Sequence, residues 1–515
     1  MKHAICDNAT HEYVELINFA LCIICQYSII ILKTKCKVTM KKLSLLLLLF
    51  ASLLVSCGTD NDVAKVDNPF DPSSELVDSV LRNKIVVISD LHLGNDLAYS
   101  ENVKHLSRLT QFLNEVRASS TIKELVIAGD MFDEWYIPTR TNTYDNKSQG
   151  DFILKTVAAN KAIFDVLNGI ISDKKIKVTY IPGNHDMGFT PASIDLAMPG
   201  VNQARDKERN SLGTYYPDNY PEIAIEHGHR YDFFCNLTPN EADPDVKGTT
   251  FAPGYFFARI AANSFVNPIA IENRTRVPDV KLINKNDSEQ VYKYTYYKLW
   301  KQVLDSVIYV NDNFDDKIIT TNVDNFTKAY SINDILPYND ANGNIQMKMY
   351  NGLFTQEYWH NRMVDNGANV ATYIKAAIIG SLKTQYIDDQ SYVQYFNCPD
   401  TQNIRVVVFG HTHIPKMMTS INQCDLPCVY ANTGTWEDRK SRIKSNVIDQ
   451  DSINMNFVVI TPNKTNHKIL NIKLYKYLYR AHSVLDSKDV YLYKLAEHYG
   501  IDYEHSCISF LKSVA

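Results

Sequence analysis

The sequence predicts an α/β protein carrying a large helical insertion. Three observations lead there. β-branched apolar runs of four to six residues recur along the chain, short enough for buried strands, and each ends abruptly in glycine or in polar residues of metal-ligand type. The intervals between the first runs hold helix-period apolar positions, at Leu106 to Val116 and at Val157 to Leu167. A gap of 184 residues between His227 and His411 then interrupts the series, and a gap of that size must be an inserted domain.

Composition bounds the function. A chain of 515 residues, 45% hydrophobic and 22% charged, has room for two or three domains with sizeable cores and is no disordered tail. The 53 Lys+Arg against 58 Asp+Glu give a net charge of -5, which lacks the basic footprint of a general nucleic-acid binder, so no nucleic-acid partner is expected.

Residues 1–56 read as an address. From Met40 come Lys41 and Lys42, an apolar run from Leu43 to Leu54, and then Leu54-Val55-Ser56-Cys57. The apolar core is only about half the length a spanning helix needs. The segment resembles the lipobox of bacterial lipoproteins, which implies cleavage before Cys57, diacylation of its thiol, and a domain held on a membrane of the bacterial cell envelope, outside the cytoplasm. Residues 1–39 carry a second apolar stretch, Leu16 to Leu32, broken by Asn18 and Gln26. Two consecutive export signals make little sense, so translation is expected to start at Met40; a further membrane segment is the alternative. Residues 57–83 form a polar tether containing Pro69 and Pro72.

The first apolar run, Ile85 to Ile88, leads into Ser89-Asp90-Leu91-His92, and the second, Leu125 to Ala128, into Gly129-Asp130. Val178 to Ile181 runs into Pro182-Gly183-Asn184-His185-Asp186, and Ile223 to Ile225 into Glu226-His227-Gly228-His229. Val406 to Phe409 ends in Gly410-His411-Thr412-His413. Each polar group sits at the carboxyl end of a strand, the edge where open α/β sheets place ligands. One such Asp is usually a turn former or cap. Five together are a site.

Asp90, His92, Asp130, Asn184, His227, His411 and His413 offer carboxylate, amide oxygen and imidazole, a mixed donor set suited to Mn, Fe or Zn rather than Mg alone. Seven ligands exceed one tetrahedral ion. With Asp130 shared, two divalent ions obtain four protein ligands each, and their uncompensated positive charge attracts phosphate.

The ordered motifs D-x-H, GD, GNHD, HGH and GHTH resemble those of the calcineurin-like metallophosphoesterase superfamily. The resemblance covers roughly residues 84–230 and 400–475. It implies a four-layer α/β/β/α sandwich, with Asp90, His92, Asp130 and His413 on one ion and Asp130, Asn184, His227 and His411 on the other. It also implies two-metal hydrolysis of a phosphomonoester, phosphodiester or pyrophosphate, with Mn as the expected metal and Fe or Zn as the alternatives. His185 would reach the substrate phosphate and Asp186 would orient its imidazole. His229 either lines the same strand end or is merely a neighbour. The His-Gly element and the tail Asn432-Thr433-Gly434-Thr435-Trp436 are similar to the branch containing UDP-2,3-diacylglucosamine hydrolases. The sequence departs from that branch at His185, at His229 and in its long insertion. An exported chain would also be separated from that cytoplasmic substrate.

The domains expected are therefore a leader at 1–56, a tether at 57–83, a metallophosphoesterase domain at 84–230 with 401–475, a cap at 231–400, and an accessory carboxyl segment at 476–515. Within the cap, helices are expected near Tyr255 to Asn263, Gln290 to Val310 and Val370 to Leu382. Its many aromatic rings mostly form its own core and leave a pocket for a phosphorylated small molecule or lipid. Arg259, Arg274 and Arg276 are either phosphate partners or, each taken alone, part of a solvated face. Strands are expected at Phe457 to Ile460 and Ile469 to Leu474, and a helix at Val490 to Gly500. Cys424 and Cys428 are either a small disulfide loop or two thiols. Oligomeric state has no sequence signal. The rival function is a ligand- or partner-binding lipoprotein on a decayed enzyme fold, but such a module could lose ligands freely and none is missing here.

Overall fold

The computed structural model describes residues 69–70, 82–238, 251–306, 308, 310–323, 326–381, 383–438, 455–462, 469–478 and 481–491. The leader with Cys57, most of the tether, Cys507 and the chain beyond Tyr491 lie outside these residues.

Two sheets stack face to face. In the larger, β1 (Lys84–Ile88), β2 (Ile122–Ala128), β3 (Lys177–Ile181) and the short β4 (Asn202–Gln203) run parallel, and β1 pairs antiparallel on its other side with β14 (Asn456–Pro462). The sheet continues through β15 (Ile469–Leu478) to β16 (Ala481–Tyr491). The smaller sheet holds β5 (Thr214–Tyr215), β6 (Ile223–Glu226), β11 (Val406–Phe409), β12 (Lys416–Ile421) and β13 (Pro427–Asn432), in the order β12-β13-β11-β6-β5. β6, β11 and β13 are parallel, so their carboxyl ends share one edge.

The two-residue period of a strand accounts for the layering. Ile85 and Val87 on β1 and Val126 on β2 share one buried cluster with Ile223, Ile225, Val406 and Val408 of the facing sheet. The alternate residues Val86, Ile88, Leu125 and Ile127 turn outward under α1 (Leu106–Ala118), α2 (Gln149–Ala159), α3 (Lys161–Asp173) and α4 (Pro191–Ala197). α1 buries Leu109, Phe112, Leu113 and Val116, the stripe its sequence spacing requires. The helix expected across Val157 to Leu167 is two helices, because Asn160 leaves helical geometry and its amide donates instead to the carbonyls of Thr156 and Gly94, each at 2.9 Å.

The insertion contains α5 (Pro253–Val266), α6 (Ser288–Ser306), α7 (Gln356–Asp365), α8 (Ile374–Gly380) and α9 (Thr384–Ser391). It also holds two hairpins that the sequence did not signal, β7 (Ile319–Val323) with β8 (Phe326–Tyr330) and β9 (Tyr338–Asn339) with β10 (Ile345–Gln346). Ile387 on α9 and Tyr395 pack on Val407, Phe409 and Tyr430, the outward residues of the smaller sheet. The insertion thus supplies the fourth layer as well as the cap.

Two expectations change, and one alternative is decided. Residues 481–491 pair along the whole of β15 and extend the larger sheet, so Val490 and Tyr491 are strand residues, while the rest of the expected helix and of the carboxyl segment lies outside the described residues. Of the two readings of Cys424 and Cys428, the structure has the free thiols. Arg259 is neither a phosphate partner nor a solvated residue. It is fully buried, donating to the carbonyls of Ile137 at 2.7 Å, Pro138 at 3.1 Å, Thr139 at 3.2 Å and Thr141 at 2.6 Å, and so ties α5 to the loop after β2. Arg274 and Arg276 stand away from the cavity over the strand ends.

Candidate metal centre

The strand ends carry unusual backbone. Asp90, His92, Asp130, His411 and His413 have φ of 53°, 46°, 50°, 68° and 61°, left-handed conformations that a residue with a Cβ adopts only when its surroundings enforce it. Glycines make room for them. A Cβ on Gly129, whose φ is 89°, would stand 2.4 Å from the His227 ring, and one on Gly183 would stand 2.2 Å from Asp130 Oδ1. The GD and GN steps of the sequence are therefore packing requirements of the site.

These turns bring two donor groups together. Asp90, His92, Asp130 and His413 are all buried, with ligand atoms within 4.8 Å of one another, and Asp130, His227 and His411 form a second such group. Asn184 joins the second, its Oδ1 lying 3.1 Å from His227 Nε2 and 2.8 Å from His411 Nδ1. Asp130 belongs to both groups, with Oδ2 at 3.7 Å from His92 Nε2 and 3.2 Å from His227 Nε2.

The far side of each imidazole is held. His92 Nδ1 faces Asp133 Oδ2 at 3.1 Å and Glu101 Oε2 at 3.2 Å, and His413 Nδ1 faces Glu437 Oε1 at 2.9 Å. His227 Nδ1 donates to the Ala128 carbonyl at 2.9 Å, and His411 Nε2 faces Asp232 Oδ2 at 3.0 Å. Such partners fix the tautomer: the outer nitrogen carries hydrogen and the inner one presents a lone pair.

Lone pairs then converge without donors between them. His92 Nε2 and His413 Nε2 stand 3.3 Å apart, with Asp90 Oδ1 at 3.0 Å from the latter. Acceptors crowded in this way repel unless a cation lies among them, so the residues fit divalent metal.

A family model for calcineurin-like phosphoesterases matches residues 83–415, which include every donor named above. The chain belongs to the calcineurin-like phosphoesterase family. A search of curated proteins finds no match. Membership makes the phosphoesterase a metal-dependent phosphoester hydrolase in general terms and implies divalent ions at the buried His and Asp groups.

Electrostatics of the metal-free phosphoesterase agree with a cation site. Burial opposes protonation of His92, yet the Asp133 hydrogen bond and the Glu101 charge raise its pKa to about 10. Burial likewise opposes protonation of His227, but Asp130 and Asp90 lift it to about 9. Burial would raise the Asp130 pKa, and the surrounding imidazoles hold it well below the usual carboxylate range. Protons occupy the positive positions that ions fill in the family.

His185 lines the cavity beside Asp130 and His411, its ring 4.7 Å from that of His92 and 4.9 Å from that of Trp135. Asp186 does not orient it. The Asp186 carboxylate points inward and accepts from the backbone N–H groups of Gly183 at 2.6 Å, Met131 at 2.8 Å and Phe132 at 3.2 Å, tying the two loops together. Burial and the neighbouring Asp130 raise its pKa to about 6. The carboxylate at the imidazole is Asp133, whose Oδ1 is 2.7 Å from His185 Nδ1. Asp133 therefore spans His185 and the metal-facing His92.

His229 is fully buried, its ring 5.3 Å from that of His227, with neither ring nitrogen bonded among the described residues. Burial, then the neighbouring imidazoles, push its pKa well below the usual value. It belongs to neither donor group.

Asp133, Glu101, Asp232 and Glu437 were missed in the sequence. Three had a signal in being close to a motif: Asp133 follows Asp130 by three residues, Asp232 follows His229 by three, and Glu437 directly follows Trp436. Glu101 had none.

Proposed function

We propose that the protein hydrolyses a phosphate ester or pyrophosphate bond at a two-ion centre. Mn is the first choice of metal, with Fe and Zn as alternatives, and the catalytic domain is anchored through a lipidated Cys57 to a membrane of the cell envelope, facing away from the cytoplasm. The observation that carries the chemistry is Asp130 standing in both donor groups while His185 faces the same cavity. Bound ions would supply Lewis acidity and an activated water. Asp90, His92 and His413 would hold one ion, Asn184, His227 and His411 the other, and Asp130 both.

The chain's own groups define the remaining roles. Asp133 holds the proton of His185 on Nδ1 and so turns Nε2 toward the cavity. From there His185 steadies phosphoryl charge and, when protonated, donates to the departing oxygen. Trp135 against the imidazole limits its rotation. A catalytically silent binding protein on the same fold is the rival reading, and the complete donor set speaks against it. The similarity to the UDP-2,3-diacylglucosamine hydrolase branch supports the reaction type and leaves the substrate open.

Purified protein loaded with Mn should release nitrophenol from p-nitrophenyl phosphate or its bis ester. Tight metal binding without turnover on any member of a broad phosphate panel would favour the silent binder.

A further inference from the structure

The cavity over the strand ends encloses about 750 Å³, with the donor groups at its floor and the insertion as its wall. α5 contributes Phe257 and Ala258, and α6 contributes Leu299, Trp300 and Val303. Leu299 and Val303 are one helical turn apart and therefore lie on one face. Both pack on the cap core yet are only partly buried, so the apolar stripe they form keeps one side open to the cavity. Phe234 extends the stripe toward the floor.

Charge is scarce on that wall. Outside the metal centre and Asp232 behind it, Lys383 is the single charged residue among the described lining residues, and it is exposed. The buried arginines nearby are already engaged: Arg259 with the loop carbonyls, Arg362 with Phe233 O at 2.7 Å and Thr238 Oγ1 at 2.8 Å, and Arg230 with Glu226 at 2.9 Å and Asp206 at 3.1 Å. A second phosphate would find no guanidinium fork. Bound ions would neutralise one phosphoryl group, and what adjoins it would meet the Phe257, Leu299 and Val303 side chains and neutral polar groups such as Gln302 and Ser381 rather than a cation cluster.

We propose that the cavity takes a phosphate ester whose alcohol carries a hydrocarbon chain, the chain lying along the Phe257, Leu299 and Val303 face while the single phosphate sits on the metal centre. This rests on the hydrolase reading above and narrows it, setting aside diphosphates and free nucleotides.

The test is calorimetric binding of n-alkylphosphonates from methyl to octyl to the full-length Mn-loaded protein, with p-nitrophenyl phosphate turnover recorded in parallel. The headgroup is constant, so only chain burial varies. Kd should fall roughly fourfold per methylene, about 10⁴-fold across the seven methylenes of the series. Val303→Asp, and independently the milder Leu299→Gln, should flatten the dependence, judged from the octyl-to-methyl ratio within each variant so that any loss of folded protein cancels. A Kd independent of chain length, or tighter binding of a nucleoside monophosphate than of octylphosphonate, would overturn the inference whether or not the protein turns over. A steep series without turnover would support the chain site and sink only the hydrolase reading.

Discussion

Replacing Asp133 by asparagine separates two functions that one carboxylate serves. Oδ1 accepts from the backbone N–H of Tyr136 at 2.8 Å and of Trp135 at 3.2 Å as well as facing His185 Nδ1, while Oδ2 faces His92 Nδ1. Asparagine keeps one acceptor oxygen. The two backbone donors retain it on the Oδ1 side, leaving an amide NH₂ against His92 Nδ1. A donor facing a donor leaves the His92 Nδ1 proton to Glu101 Oε2 alone, at 3.2 Å, and so shifts the tautomer balance toward hydrogen on Nε2, where it blocks the lone pair aimed at the ion. Metal affinity should therefore drop by roughly 10- to 100-fold. The loss of negative charge also weakens the hold on His185. Burial would raise the Asp133 pKa, but the facing imidazoles keep it well below the usual carboxylate range, so the lost partner is an ionised one. At saturating metal, kcat should fall about 10²-fold, the lower scale for a positioned acid, or about 2.7 kcal/mol. The assay is a double-mutant cycle with His185→Ala, read as kcat on a nitrophenyl ester with metal titrated to saturation for every variant. If Asp133 acts through His185, the double variant should match His185→Ala within about threefold. Multiplied losses near 10⁴ would refute that coupling, and unchanged metal affinity in Asp133→Asn would refute the link to His92.

Asp130→Ala removes the one carboxylate in both donor groups, so elemental analysis should find both ions reduced, whereas His185→Ala should retain them and lose turnover by about 10²; an ion-free His185→Ala would show its role to be misassigned. His92 and His227 have pKa values raised to about 10 and about 9 in the metal-free protein, against about 6.5 unfolded. Their contribution to metal-free stability is thus full below pH 6.5 and lost as pH rises through 9 to 10, so the metal-free melting temperature should decline across that window. Metal must displace the same protons, so affinity should rise roughly tenfold per pH unit for each proton released, with release detectable by calorimetry in two buffers; a flat affinity from pH 7 to 8.5 would contradict it. Cys57→Ser should abolish incorporation of an alkyne fatty acid and leave unprocessed precursor, and a wild-type protein fully soluble without detergent would sink the anchor.

The strands and donors were legible because both obey short-range rules. Val406 to Phe409 can be read as a strand from four consecutive buried apolar residues, and the GHTH step follows directly. What escaped depended on contacts distant in sequence. Asp186 adjoins His185 in the chain, yet successive residues of a turn point in different directions, and its carboxylate is taken by N–H groups 54 and 55 residues earlier. Glu101 reaches His92 across a loop without any motif. The two hairpins of the insertion are short and polar, Ile319-Thr320-Thr321-Asn322-Val323 and Tyr338-Asn339 among them, and become strands only through their partners.

The backbone of the donors connects fold to chemistry. Five of the seven lie in the left-handed region, where each costs of order 1–3 kcal/mol. That cost is borne by the sandwich: parallel strands β1 and β2 fix Asp90 and Asp130 side by side, with Asp90 N donating to the Gly129 carbonyl and His92 N to that of Asp130, both at 3.0 Å. Asp90 also receives the backbone N–H of His411 at 3.1 Å, which links the two sheets through a ligand. Since these bonds come from the main chain, the donors are held before any ion arrives. An ion gains affinity from such pre-organisation because little rearrangement remains on binding. It follows that ligand loss and loss of strain should oppose each other. Asp130→Gly should leave the metal-free protein more stable than Asp130→Ala, because glycine accepts a φ of 50° without the Cβ penalty, while both variants lose metal alike. Equal melting temperatures for the two metal-free variants would show that the turn relaxes once its carboxylate is gone, and that the ligand's own hydrogen bonds, such as that from His185 N at 2.8 Å, impose the conformation.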